Sequence, residues 1–182
     1  MKAIVFLADG FEECEGLIAV DILRRAGVET VMASVMDHRQ IDSSRHIKVH
    51  ADVMAADVDF DTVDMIVLPG GRLGTENLGK SQLVVEKLKE FAAAEGKYVA
   101  AICAAPSLPA SLGLLEGKSA TCHPDFEAHM AGAVLTHESV AVDGNIITGQ
   151  GLGASFEFAF ELVRTLAGEA KVNEIKRAIC YR

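Results

Sequence analysis

The chain has 182 residues, half of them hydrophobic and 24% charged, which is the size and composition of one globular domain over residues 1–182. Its 17 Lys and Arg against 26 Asp and Glu leave a net charge of −9, with no electrostatic footprint for nucleic acid or an anionic membrane. No apolar run approaches the ~20 residues needed to cross a bilayer, and the acidic Asp9 follows too soon after Met1 for a secretory signal, so a soluble cytoplasmic protein is expected.

Taken in chain order, Lys2 to Ala8 is a continuous apolar run, as in a strand buried on both faces. Glu13 to Arg25 carries Leu17, Ile18 and Ile22 at helical spacing and is closed by Ala26-Gly27. Val28 to Val35 is a second strand, which completes a strand–helix–strand unit. Residues 36–62 are polar and irregular, with short alternating pieces such as Ile47-Lys48-Val49. Val63 to Leu68 is a third buried strand, closed by Pro69-Gly70-Gly71. Leu83 to Ala94 is an amphipathic helix, Lys97 to Ile102 a fourth strand, and a further helix is expected from near Ala104. Asp143-Gly144, between Val140-Ala141-Val142 and Asn145-Ile146-Ile147, signals a hairpin. Ser155 to Leu166 and Glu169 to Ala178 are the last two helices. Alternating strands and helices predict an α/β sandwich with a mainly parallel sheet. Ligands in such folds sit beyond the carboxyl ends of the strands. Those ends are Ala8-Asp9-Gly10, Pro69-Gly70-Gly71 and Ile102-Cys103.

Four cysteines, Cys14, Cys103, Cys122 and Cys180, are scattered without a CxxC pair and read as free thiols. Cys103 stands where a buried strand turns toward a helix, with the small Ala101 and Ala105 two residues to either side, in the manner of a nucleophile elbow. A helix N-terminus there would lower the thiol from about 8.5 to about 5.5, turning most of it into thiolate at neutral pH. The plainer reading is a small buried hydrophobe. Glu12, Glu13 and Glu15 crowd the start of the first helix, where acidic residues complement the helix dipole. Glu15, followed by the small Gly16, could instead turn beneath the sheet end and hold a proton beside the thiolate. Gly70 and Gly71 suit an oxyanion hole better than a phosphate loop, because neither GxGxxG nor GxxxxGK[ST] is present. The six histidines match no metal-binding spacing, so no metal is expected. His123 lies in a turn, either as a surface residue or as a polar group of a site.

Together, Ala8-Asp9-Gly10-Phe11-Glu12-Glu13-Cys14-Glu15, Leu68-Pro69-Gly70-Gly71, Ala100-Ala101-Ile102-Cys103-Ala104-Ala105-Pro106, Thr121-Cys122-His123-Pro124 and Gly153-Ala154-Ser155-Phe156-Glu157-Phe158 resemble the DJ-1/PfpI (ThiJ-like) superfamily. The resemblance covers nearly the whole chain in the family's order. It implies a flavodoxin-like three-layer sandwich, usually a homodimer, with Cys103 as the reactive cysteine and Glu15 as the carboxyl group beside it. It further implies backbone donors at Gly70, Gly71 and Ala104, His123 in the pocket, and Arg25 and Arg45 near the pocket and the dimer interface. Peptidase-like and amidotransferase-like members carry His directly after the cysteine. Ala104 stands there instead, and with the absence of a lid domain this places the chain near the DJ-1/YajL-like branch. Leu152, where better-known members have Pro, and Cys14, where they have Met at the dimer interface, depart from that branch.

The function the resemblance implies is a cofactor-independent, glutathione-independent glyoxalase that converts methylglyoxal to lactate, or a deglycase acting on the protein adducts of 2-oxoaldehydes. The alternative is an oxidative-stress sensor or chaperone using the same cysteine. A peptidase or amidase is disfavoured by Ala104.

Overall fold

A computed structural model describes residues 1–181; Arg182, the last residue of the expected domain, lies outside them. The chain runs β1 (Lys2–Leu7), α1 (Glu13–Arg25), β2 (Glu29–Ser34), β3 (Gln40–Asp42), β4 (Lys48–His50), β5 (Val53–Met54), β6 (Met65–Leu68), α2 (Arg72–Lys80), α3 (Gln82–Ala93), β7 (Tyr98–Ile102), α4 (Ser107–Ser111), β8 (Ser119–Ala120), β9 (Val134–Leu135), β10 (Val140–Asp143), β11 (Ile146–Gly149), α5 (Ser155–Ala167) and α6 (Glu169–Ala178). Seven strands form one sheet in the order β10-β11-β7-β6-β1-β2-β5. Its pairings are parallel except for the β10–β11 hairpin.

Alternation of side chains across each strand explains the two cores. Val5, Leu7, Val67, Ala100 and Ile102 face Ala19 and Leu23 of α1 and Phe158 and Leu162 of α5. Ile4, Phe6, Ile66, Leu68 and Val99 face Leu78 of α2 and Val84, Leu88 and Phe91 of α3. Both faces are therefore apolar, which is why the strands read as unbroken hydrophobic runs, and the result is the three-layer α/β sandwich of flavodoxin-like proteins. Fully buried phenylalanines such as Phe91 and Phe158 anchor the two layers. Truncating either to Ala would cost roughly 3–5 kcal/mol.

Four local expectations need correction. The stretch after Gly71 is a helix, α2, although Gly74 and Gly79 lie within it. Residues 36–62 contain an antiparallel hairpin, with Ile41 opposite Val49. The helix expected from near Ala104 is a series of tight turns followed by only the five residues of α4. Pro106 caps that short helix and Pro109 sits inside it, where its ring and missing N–H prevent a regular helix from starting sooner. The β10–β11 turn is centred one residue later than expected, on Gly144-Asn145, with Asp143 paired to Ile146. Asn145 holds it there by donating to the carbonyls of Phe91, Ala92 and Lys97.

The order of strands also fixes where a site can form. From β1 the chain winds outward through β2 to β5, then returns to the other side of β1 as β6 and continues to β7 and β11. Loops therefore diverge between β1 and β6, opening a crevice beyond their carboxyl ends.

Candidate active site

Three loops meet at that crevice. The first follows β1 and leads into α1; the second is Pro69-Gly70-Gly71 after β6; the third is the turn at Cys103 after β7. The first two are laced by backbone bonds, Glu12 N–H to the Gly70 carbonyl at 2.9 Å and Gly74 N–H to the Gly10 carbonyl at 3.1 Å. Such close approach requires glycine. A Cβ on Gly71, whose φ is 88°, would stand 2.3 Å from the Gly10 oxygen, and one on Gly74 would stand 2.6 Å from the Phe11 Cα. The β3–β4 hairpin clasps the same loop from outside, where Gly10 donates to Asp42 and Ser44 to Phe11.

Cys103 has a φ of 65°, the left-handed region that non-glycine residues seldom occupy. Its own N–H donates to the Gly149 carbonyl at 2.9 Å, so the strained turn is held by the neighbouring strand β11 while the partly exposed sulfur projects beyond the sheet. Gly70 separates it from Glu15, since a Cβ on Gly70 would lie 2.6 Å from the Cys103 Cβ and 2.5 Å from Glu15 Oε2. Glu15 is buried, and its Oε2 accepts from the Gly70 N–H at 2.8 Å. Gly70 is thus engaged by Glu15 and is not a free oxyanion donor as expected. The backbone groups of Gly71 and Ala104 are the two that favour the charged form of the sulfur.

The electrostatics of the pair differ from the expected low thiol. Burial pushes the Glu15 carboxyl up to about 7, although hydrogen bonds from Cys103 and Gly70 oppose it. Burial first, and the charge of an ionised Glu15 second, push the Cys103 thiol up to about 12. The short α4 supplies no long helix dipole to offset this. Two groups this close do not ionise together, so the pair keeps one proton over a broad pH range. Glu15 Oε1 is buried and has no hydrogen-bond partner. A protonated carboxyl donates rather than accepts there, which suits an oxygen with no donor. With the proton on Glu15, the sulfur becomes an anion favoured by the backbone groups of Gly71 and Ala104 and by the carboxyl O–H.

Around the sulfur is an open cavity of about 570 Å³, also lined by Glu12, Glu15, Arg45, His123, Ser139, Gln150 and Leu152. His123 enters as a polar wall. Its backbone N–H donates to the Cys103 carbonyl at 2.9 Å, and its Nδ1 accepts from the Asp125 N–H at 3.2 Å, which leaves Nε2 as the protonated nitrogen of the neutral ring. Leu152 is 52% exposed on the cavity rim. Arg25 is elsewhere in this chain, paired with Asp21 at 2.6 Å and lining a separate surface cavity with Phe156 and Tyr181. Cys14 is exposed at the start of α1, and slight burial followed by the charges of Glu12, Glu13 and Glu15 raises its thiol. Glu12 and Glu13 do more than complement a dipole, for both accept from the Ser44 hydroxyl, at 2.7 and 3.2 Å, and anchor the β3–β4 hairpin. Ser139 and Gln150 were not anticipated from sequence. The available signal was the end of the apolar run Ile146-Ile147, which marks Gln150 as lying beyond the carboxyl end of β11. Among the described residues no group of three or more His, Cys, Asp or Glu side chains could hold a metal ion, and no helix is long and apolar enough to cross a membrane.

Comparison with known proteins agrees with this architecture. The model of the DJ-1/PfpI family matches residues 1–165. Protein dj-1beta of Drosophila melanogaster is 37% identical over 180 residues, covering 98% of this chain and 96% of its own. A Caenorhabditis elegans protein named glutathione-independent glyoxalase DJR-1.2 is 30% identical over 171 residues, covering 93% of this chain and 90% of its own. The solved structure of oxidized Toxoplasma gondii DJ-1 superposes with a TM-score of 0.94 at 35% identity, covering 99% of this chain and 98% of the other. The chain described here belongs to the DJ-1/PfpI family.

Proposed function

We propose that the chain, acting as one domain, is a cysteine-dependent glyoxalase that converts small 2-oxoaldehydes to 2-hydroxy acids without glutathione. The observation that carries this reading is the partly exposed Cys103 beside the buried Glu15 carboxyl, at a cavity beyond the strand ends. In the reactive form Glu15 holds the proton and Cys103 is a thiolate. The sulfur adds to the aldehyde carbon of methylglyoxal, and Glu15 delivers its proton to the carbonyl oxygen, giving a hemithioacetal near the N–H groups of Gly71 and Ala104. Glu15, now a carboxylate, removes the C1 hydrogen as a proton and returns it to C2, while the C1 hydroxyl proton passes to the C2 oxygen; His123, which lines the same cavity, is the candidate carrier of that second proton. The product is a 2-hydroxy thioester. Water cleaves it to lactate, and the thiol is regenerated. The name of the C. elegans relative supports this chemistry. The same thiolate would serve for adducts of these aldehydes on proteins.

The test is lactate formation from methylglyoxal in glutathione-free buffer. Turnover by the wild type that falls to background in Cys103→Ser, with the fold retained, is the expected result. Negligible wild-type turnover, together with peroxide-dependent oxygen addition to Cys103, would replace this reading with an oxidation sensor whose sulfinate is held by protonated Glu15. That second reading draws support from the partly exposed sulfur and from the oxidized form of the Toxoplasma relative. We further propose a homodimer in the cytoplasm, with Cys14 near its twofold axis.

A further inference from the structure

Among the described residues two carboxylates are buried, Glu15 and Glu13, and the proposed reaction uses only the first. Glu13 is 5% exposed, in the first turn of α1. A buried charge is costly unless hydrogen-bond donors surround it. Those around Glu13 come largely from the tip of the β3–β4 hairpin. The Ser44 hydroxyl lies 3.2 Å from Glu13 Oε2. Burial alone would raise this carboxyl, but its own backbone, the hydroxyls of Ser43 and Ser44 and the backbone of Arg45 together hold it below the ordinary glutamate value. The tip is bound again where Ser44 N–H donates to the Phe11 carbonyl at 2.8 Å and the Ser44 hydroxyl to Glu12 at 2.7 Å. Three successive residues, 43 to 45, thus answer to one buried charge.

Arg45 is the last of the three. Its side chain is exposed and lines the Cys103 cavity, where it is the only Lys or Arg among the described residues. It also lines a neighbouring cavity of about 460 Å³ that contains Asp9 and Asp42, while Glu12 lines both. These carboxylates compete for a long, flexible guanidinium, so where Arg45 acts depends on how its backbone is anchored. In the proposed reaction, removal of the C1 proton spreads negative charge onto the C2 oxygen, which a cation in the Cys103 cavity would stabilise. Resting on that reading, we propose that Glu13 is a positioning residue. By tying down residues 43–45 it keeps the Arg45 guanidinium in the Cys103 cavity, where it stabilises the enediolate formed from a 2-oxoaldehyde.

The test compares the rates at which Cys103 of the full chain is alkylated by iodoacetate and by iodoacetamide, read by mass spectrometry of the Cys103 peptide. The ratio of the two rates reports positive charge near the sulfur and needs no turnover. Arg45→Met should lower it by about 3–10-fold, and Glu13→Gln by about 3-fold. A direct field effect of Glu13 has the opposite sign, because loss of a nearby negative charge favours the anionic reagent. With Arg45→Met already present, Glu13→Gln should lower the ratio no further. Ser44→Ala changes no charge and leaves the buried carboxylate in place, and should lower the ratio by about 2-fold. The kcat/KM for methylglyoxal should follow the same pattern, falling by about 10-fold in Glu13→Gln, mainly through kcat, and no further in the double variant. A rise of the ratio in Glu13→Gln, an equal fall in the absence of Arg45, or an unchanged ratio in Ser44→Ala would each overturn the proposal. Expected ratios without wild-type turnover of methylglyoxal would remove the glyoxalase reading and leave Glu13 as the residue that places Arg45.

Discussion

At the scale of single residues, Glu15 and Cys103 cannot be treated separately. Because the two share a proton, the pH dependence of Cys103 alkylation by iodoacetamide should differ between the wild type and Glu15→Gln. Glu15→Gln removes the charge that raises the thiol and leaves an amide that can still accept from Gly70 and donate to sulfur. Cys103 in that variant should be alkylated at least as fast as in the wild type at pH 7. Turnover of methylglyoxal should nevertheless fall by about 100-fold or more, because an amide moves no proton. Parallel loss of both activities would mean that Glu15 only holds the thiol in place. The same carboxyl also links stability to pH. Its folded value lies above the 4.5 of an exposed glutamate, so its contribution is fully present below pH 4.5 and is lost as pH rises through 7. The loss amounts to about 3 kcal/mol by pH 8. Urea titrations at pH 5 and pH 8 should reveal it as a difference between wild type and Glu15→Gln. Equal pH dependence in the two proteins would show that Glu15 is ionised at neutral pH.

At the scale of elements, α2 locks the site through its backbone. Its two internal glycines have opposite roles. A methyl group on Gly74 would meet the Phe11 backbone at 2.6 Å, whereas one on Gly79 would meet only the Leu108 Cδ1, at 3.4 Å. Gly74→Ala should therefore cost about 1–3 kcal/mol by overpacking and separate the β1 and β6 loops, with turnover falling as Gly70 shifts from Glu15. Gly79→Ala should be neutral or stabilise by up to about 1 kcal/mol, the ordinary gain of Ala over Gly in a helix. Chemical denaturation of the two variants is a direct comparison, and equal effects would refute the backbone-packing account. The same two glycines made α2 illegible in the sequence. Glycine is a poor helix former, and the tertiary contact that requires Gly74 involves Phe11, more than sixty positions earlier. The hairpin of β3 and β4 was hidden for a related reason. Each strand has three residues, too few for an alternating pattern, and its place is fixed by bonds from Gly10 and Ser44.

At the scale of the molecule, the exposed edge of α1 carries Cys14 one residue from Glu15. In the proposed homodimer a twofold axis near this helix brings each Cys14 toward its own copy. Mild oxidation should then yield a covalent dimer on non-reducing electrophoresis that is lost in Cys14→Ser and kept in Cys103→Ser. A monomer in sedimentation would refute the arrangement. Arg25 bears on the same question. Within one chain it lines a cavity apart from the Cys103 cavity, with Phe156 and Tyr181, so any role in the reactive site would have to come across a subunit interface.

The sequence by itself determined the layers. Apolar runs such as Lys2–Ala8 and Val63–Leu68 left no polar face for solvent, so the sheet had to be covered on both sides, and the chain order of strands and helices made it mainly parallel. It also marked Cys103, because small neighbours at a strand end leave a side chain projecting. What only the tertiary structure decided was the state of that side chain. Local sequence suggested a helix dipole that would lower the thiol, but Pro106 and Pro109 shorten the helix. The dominant influences are burial and the carboxyl of Glu15, which stands in the first turn of α1, nearly ninety residues away. Proton energetics depend on distance and dielectric, and chain folding sets both.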